Sequence, residues 1–325
     1  MRNFYMFVAF NVVFLALWLG LVWGQTGNSS KMSQWVYDVY GKKTAIAKKI
    51  DGEKIVIVSG SNALFGVDSK MLERAFEKPV VNYGVNAGVL LPYTLYKAKE
   101  VINKGDVVLL PLEYPMYNYD GVANSQMIDY IFARDIEAFN TLSLYEQFGM
   151  VWSVEFKRIL DGYSGYVNKP IKRGLYGAHN VDGHGDQRKT SLKYKTKGIK
   201  KELDSLVANS YGADFDADSL GFTYLEEFVT WCERKGAICI FMPSTLMWFD
   251  SYKSVASERW FYENIADVVR SKGWKFVGVP YEYMYDKKFY FNTDFHLTNK
   301  GREMRTKKMI KDLEKFSDLG LDVRF

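Results

Sequence analysis

The chain has 325 residues, 48% hydrophobic and 25% charged, which are globular proportions and permit one large α/β domain or two smaller ones. Its formal net charge of +5, with acids and bases interleaved, suits a soluble surface or an anionic partner and gives no ground to expect nucleic acid. Aromatic residues are abundant at 16%, which fits core packing and also carbohydrate or interface contacts.

The first element is an uncharged apolar run from Phe4 to Gly24, interrupted only by the polar Asn11. About 20 such residues are enough to cross the hydrocarbon core of a bilayer, and Trp18 and Trp23 stand at its far end as interfacial anchors do. Val22-Trp23-Gly24 is a poor cleavage site, so residues 1–24 are expected to be an uncleaved anchor rather than a signal sequence, with the rest of the chain exported. Lys31, Lys42 and Lys43 follow the run against the positive-inside rule, which a long trailing domain overrides. Residues 25–50 read as a polar stalk and a short amphipathic lead-in.

Strands and helices then alternate. Apolar strands are expected over 54–59, 79–84 and 106–113, separated by helices over 69–77 and 90–104. Residues 114–220 break this rhythm and read as an insertion, helical near 126–160 and irregular after that. The alternation resumes with helices over 223–236, 257–273 and 297–316 and strands over 237–243 and 274–280. Continuous apolar strands joined by helices predict a parallel sheet covered on both faces, within a domain spanning 51–325. Cys232 falls in a helix and Cys239 in the strand after it. They form either a disulfide or, as expected here, two buried thiols.

The chemistry-bearing residues gather where such a sheet binds ligands, beyond the carboxyl ends of its strands. The first strand ends on Ser59-Gly60-Ser61-Asn62. Ser61 at that turn is a candidate nucleophile; the plainer reading is a turn with capping serines. Asp294 and His296 stand two residues apart just before the last helix, and one of only three histidines so placed is a candidate base with its orienting acid. Gly84 and Asn86 follow the second strand and supply candidate oxyanion donors, a backbone N–H and a side-chain amide. His179 and His184, with Asp182 and Asp186, match no zinc spacing, so that loop is expected to be solvated or to face substrate, and no metal or cofactor is expected. The basic last helix is expected to be a solvated face, with anionic lipid or polymer as the alternative.

The order Gly60-Ser61-Asn62, Asn82-Tyr83-Gly84 and Asp294-Phe295-His296 resembles the SGNH (GDSL-like) hydrolase superfamily, and within it the membrane-anchored or periplasmic O-acetyltransferase-like members that modify bacterial exopolysaccharides and cell-wall polymers, among them the alginate acetylation and teichoic-acid alanylation proteins. The resemblance implies a three-layer α/β/α sandwich with a parallel sheet, Ser61 as nucleophile, Asp294 and His296 completing a triad, and Gly84 in the oxyanion hole. It also implies a polysaccharide acceptor and a membrane-bound acyltransferase as acetyl donor, with the catalytic domain outside the cytoplasmic membrane. A carbohydrate acetylesterase of the same fold and a non-catalytic polysaccharide-binding protein remain as alternatives. The chain departs from the pattern in two places: Ser59 stands where glycine is usual, and the third block is missing. Glu113 occupies the tip of the third strand, where it could orient substrate or backbone, and Asn62 or Asn86 is left to replace the missing donor. An α/β-hydrolase is the rival fold, but Ser59-Gly60-Ser61-Asn62-Ala63 lacks its Gly-x-Ser-x-Gly elbow.

Overall fold

A computed structural model describes residues 1–315, so residue 316 of the helix expected over 297–316 lies outside the described residues. The elements in chain order begin with α1 (Arg2–Gly24), α2 (Gln34–Ala47), β1 (Ile55–Ile57), α3 (Ser61–Gly66), α4 (Ser69–Phe76), β2 (Val80–Asn82), α5 (Leu90–Ala98) and β3 (Val107–Leu110). They continue with α6 (Ser125–Arg134), α7 (Leu144–Trp152), α8 (Phe156–Tyr163), α9 (Lys197–Asp204), α10 (Leu220–Lys235), β4 (Ile238–Phe241), β5 (Leu246–Met247), α11 (Ser251–Ser254), α12 (Ala256–Ser271), β6 (Lys275–Phe276), β7 (Met284–Tyr285) and α13 (Asn299–Leu313). The chain divides into two compact units. One combines Met1–Tyr37 with Gly121–Pro170, and the other combines Asp38–Asp120 with Ile171 onward.

The larger unit is α/β. Its five-stranded sheet runs β2-β1-β3-β4-β6, every neighbour parallel, with Val56 opposite both Val81 and Val108 and Leu109 opposite Ile240. The strands are the continuous apolar runs of the sequence, and β1, β2 and β3 are buried along their whole length. Helix α4 packs on β2, α10 on β4 and α12 on β6. Ile57, Leu109, Ile240 and Met309 belong to one core. The amino ends of β1 and β3 are tied by a fully buried ion pair, Lys54 Nζ to Asp106 Oδ2 at 2.7 Å, and Asp106 Oδ1 also accepts from Lys54 N. Cys232 and Cys239 are free and buried.

Two elements differ from expectation. Helix α5 stops at Ala98 instead of running to 104, because a turn precedes the β-branched Val101 and Ile102, which pack into the core. Helix α3 begins directly on Ser61, where a turn was expected, and β5 and β7 form a separate two-stranded parallel pair.

The smaller unit is helical. Of its elements, α1 is the one described helix long and apolar enough to cross a membrane, and along it only Val22 is buried. The remaining helices close around the carboxyl end of α1. Trp23 packs edge-on against Phe132 (5.8 Å between ring centroids) and Phe139 (5.3 Å). Asp129 pairs with Arg158 Nε at 2.7 Å and accepts from Ser30 Oγ at 2.6 Å, both carboxylate oxygens thus engaged inside the unit.

Candidate active site

The first strand tip is organised by one buried carboxylate. Glu113, 1% exposed beyond the end of β3, receives the Gly60 N–H on Oε2 and the Asn62 N–H on Oε1, each at 2.9 Å. Ser59 Oγ lies 2.9 Å from Glu113 Oε2 and 2.7 Å from Pro111 O, and accepts from Asn62 Nδ2 at 2.7 Å. The first N–H groups of a helix lack intrahelical acceptors, and Glu113 satisfies two of them from across the sheet. That is why six residues suffice to form α3. Arg305 of α13, fully buried, donates to Asn62 O (3.0 Å) and Asn62 Oδ1 (2.8 Å).

Of the two roles expected of Glu113, it is backbone and not substrate that it orients: its oxygens hold backbone and hydroxyl donors. Asn62 is no oxyanion donor, since its amide is spent on Ser59 Oγ and Pro111 O and its carbonyl oxygen on Arg305. Both are fixtures of the turn that presents Ser61. Ser61 itself is partly exposed, and among the described residues neither its hydroxyl nor its N–H has a hydrogen-bond partner.

The loop after β2 lies directly against this turn. A Cβ added to Gly84 would meet Gly60 O at 2.6 Å and Ala63 Cβ at 2.8 Å, and one added to Gly60 would meet Ala87 N at 2.6 Å. Only glycine permits these approaches. The Gly84 N–H, however, donates to Asn82 Oδ1 at 3.1 Å, and Gly84 O accepts from the buried Lys43 ammonium, so the expected oxyanion donor is already engaged. Asn86 Oδ1 accepts from Gly88 N at 3.0 Å, capping a short helical turn. Beside Gly60, the Ala87 N–H has no acceptor among the described residues.

Beneath these groups runs the 182–187 loop. Asp186, buried, accepts from Ser69 N, Ser69 Oγ and Asn82 Nδ2, and Asn82 N donates to His184 O. Gly185 is required twice over: its φ is +94°, and a side chain there would strike Asn82 O. Asp186 therefore tethers the β2 tip, and Asp182 Oδ1 holds the loop in shape by accepting from His184 N and Asp186 N. Burial lowers the affinity of Lys43 for its proton and raises that of Asp186, while the two acids oppose the effect at Lys43.

His296 arrives from the other end of the chain. Its ring lies parallel to Phe65, 3.9 Å between centroids at 5°, and Phe65 stands one helical turn after Ser61. His296 thus reaches α3 through Phe65, while no hydrogen bond joins its Nε2 to Ser61 Oγ among the described residues. Its Nδ1 is 2.9 Å from Asn292 Oδ1. Since Oδ1 is acceptor only, Nδ1 carries the proton and Nε2, with no partner among the described residues, keeps the lone pair. Complete burial depresses the ring's pKa to about 3, so it is neutral at ordinary pH.

Asp294 is not the orienting acid. The chain closes a tight loop in which Phe291 N donates to His296 O and Tyr290 bridges Leu297, so Asn292 folds back beside His296 while Asp294 occupies the tip. There its Oδ2 accepts from Asn209 Nδ2 at 3.1 Å, and desolvation raises its pKa. Asn292, Arg305 and Phe65 were all missed from sequence. Asn292 offered one signal, an amide four residues before a histidine in a stretch too polar and bent for a strand.

The same unit carries a cationic groove. One cavity of about 720 Å³ is lined by Arg188, Lys189, Lys193 and Tyr194, and an adjoining one of about 520 Å³ by Lys193, Lys288, Phe289 and Lys300, with no carboxylate among the lining residues. Lys288 and Lys300 approach the Phe289 ring at 5.2 and 5.9 Å. No protein-family model matches the chain, and neither a curated protein nor a solved structure matches it.

Proposed function

We propose that the chain is a serine acyl-transfer enzyme of SGNH-like three-layer α/β/α architecture, anchored by α1 with its α/β unit outside the cytoplasmic membrane, and that it O-acetylates a polysaccharide. The observation that carries this reading is His296: neutral, with Asn292 holding its Nδ1 proton and Nε2 left without a partner, stacked one helical turn from an unpartnered serine hydroxyl.

In the first half-reaction, Ser61 Oγ attacks the carbonyl carbon of an acetyl donor while His296 Nε2 takes the hydroxyl proton. The tetrahedral oxyanion is received by the Ser61 and Ala87 N–H groups. Collapse expels the donor's leaving group, which takes the proton from His296, and leaves acetyl-Ser61. A sugar hydroxyl then repeats the attack, with His296 again as base, and the free serine returns. A donor outside the cytoplasm implies a membrane-bound acyltransferase that hands acetyl across. The acceptor lies in the cationic groove, whose lysines and aromatic rings suit a sugar chain bearing anionic groups. With water as acceptor the same steps make an acetylesterase.

One observation favours a second reading, a non-catalytic anchored polysaccharide-binding protein: the Gly84 N–H and the Asn62 amide, two of the three donors expected to hold an oxyanion, are engaged internally. Acetyl release from an aryl acetate by wild type and Ser61→Ala separates the two. Loss of release in the variant upholds catalysis, and equal release in both ends it. Ester formation on an added anionic polysaccharide then distinguishes transfer from hydrolysis.

A further inference from the structure

Helices α7 and α8 carry their apolar residues on the outside. On α7, Leu144, Phe148 and Trp152 recur at every fourth position, and on α8 Phe156, Leu160 and Tyr163 follow the same stripe; all six are between 53 and 83% exposed. The inner face of α8 holds Arg158, Ile159 and Gly162, with Arg158 buried against Asp129 at 2.7 Å. The larger apolar side chains Phe156, Leu160 and Tyr163 are left outside while an arginine is taken in, the opposite of what water alone would select. Exposed apolar surface of this extent marks a contact with something other than solvent.

The same unit identifies what that is. Trp18 Nε1, inside the apolar run of α1, donates to Val151 O near the end of α7 at 3.2 Å. Tyr163 of α8 packs at Gly24, and Gly162 abuts Gln25. Trp18 precedes Gly24 by six residues, about 9 Å along a helix axis. Whatever leaflet encloses the last two turns of α1 therefore reaches the level of Val151, and the stripe beside it cannot remain in water. Lys157, exposed next to Phe156, stands where a cation can meet headgroup phosphates.

We propose that α7 and α8 form an interfacial foot, laid into the headgroup and upper acyl region of the leaflet that holds the Gly24 end of α1, with lipid as the occupant of their outer face. This rests on the reading that α1 spans the bilayer, and the test separates the two.

Single cysteines are placed at Phe148→Cys, Leu160→Cys and Leu15→Cys in the full chain, whose own Cys232 and Cys239 are buried. Each is coupled to an environment-sensitive fluorophore and the protein reconstituted in vesicles of phosphatidylcholine and phosphatidylglycerol containing nitroxide-labelled lipid. The expected result is that positions 148 and 160 lose about half of their emission to a shallow nitroxide and position 15 loses as much to a deep one. Quenching at 15 with none at 148 and 160 overturns the foot and leaves the anchor standing. A blue-shifted but unquenched label at 148 or 160 also overturns it, since protein rather than lipid then covers the stripe. No quenching at any of the three positions removes the anchor and the foot together.

Discussion

Glu113 shows how much of the site depends on a group that touches no substrate. Its two oxygens receive the Gly60 and Asn62 N–H groups, so truncation strands both, while Ser59 Oγ keeps Pro111 O as acceptor. Glu113→Ala is expected to cost about 2–6 kcal/mol in urea unfolding, for two buried donors left without an acceptor, and Glu113→Gln, which replaces one acceptor oxygen by a donor, about 1–3 kcal/mol. In the proposed reaction the decisive neighbour is Asn292. Asn292→Ala is expected to lower aryl acetate turnover by about 100-fold or more by freeing the tautomer of His296, while Asp294→Asn leaves it within a few-fold; the reverse ranking would restore the acid as partner. The buried imidazole also shapes stability. An unfolded chain protonates His296 near 6.5, the folded one only near 3, so its contribution is complete above pH 6.5 and declines as the pH falls towards 3. Asp294, with its pKa raised by burial, acts in the opposite sense: its contribution is complete below 3.8 and declines as the pH rises past that value. His296→Gln should therefore flatten the fall of the unfolding midpoint on the acid side of 6.5. Ser61 and His296 stood out in the sequence as candidates because few residue types perform the proposed chemistry. Asn292 was concealed because the choice between Asn292 and Asp294 is made by a loop closure, the Phe291 N to His296 O bond, that no spacing rule encodes.

At the level of elements, the strands of the main sheet were readable because a strand buried on both faces is a continuous apolar run. Helix α3 was not, because its cap is a carboxylate some fifty residues away in the chain. The pairing of β5 with β7 was equally hidden, since two-residue strands have no periodicity to detect. Close packing between the first two strand tips makes a sharp prediction. Gly84→Ala pushes a methyl into Gly60 O and Ala63 Cβ, and is expected to destabilise the fold by about 1–3 kcal/mol in denaturant titration. Asp106→Ala leaves the Lys54 ammonium buried and alone, and should cost about 3–5 kcal/mol.

Across the whole molecule, the division into two units follows contacts that sequence order hides. Residues 121–170 read as the start of an insertion, yet they close on the N-terminal segment through Trp23 with Phe132 and Phe139 and through Asp129 with Ser30. Deleting residues 1–24 is thus expected to do more than release the protein from the membrane fraction: limited proteolysis followed by mass spectrometry should find cleavage within 121–170 markedly faster than in the full chain. The sheet order carries a consequence for biogenesis. β1, β2 and β3 are adjacent in sequence and in space, whereas β3 waits for β4, roughly 130 residues later in the chain. A polypeptide emerging in order of synthesis would hold three assembled strands with an unpaired hydrogen-bonding margin along Val107–Leu110 until its final third appeared. A chain truncated before β4 is therefore expected to aggregate where the full chain stays dispersed, which sedimentation of the two translation products would check.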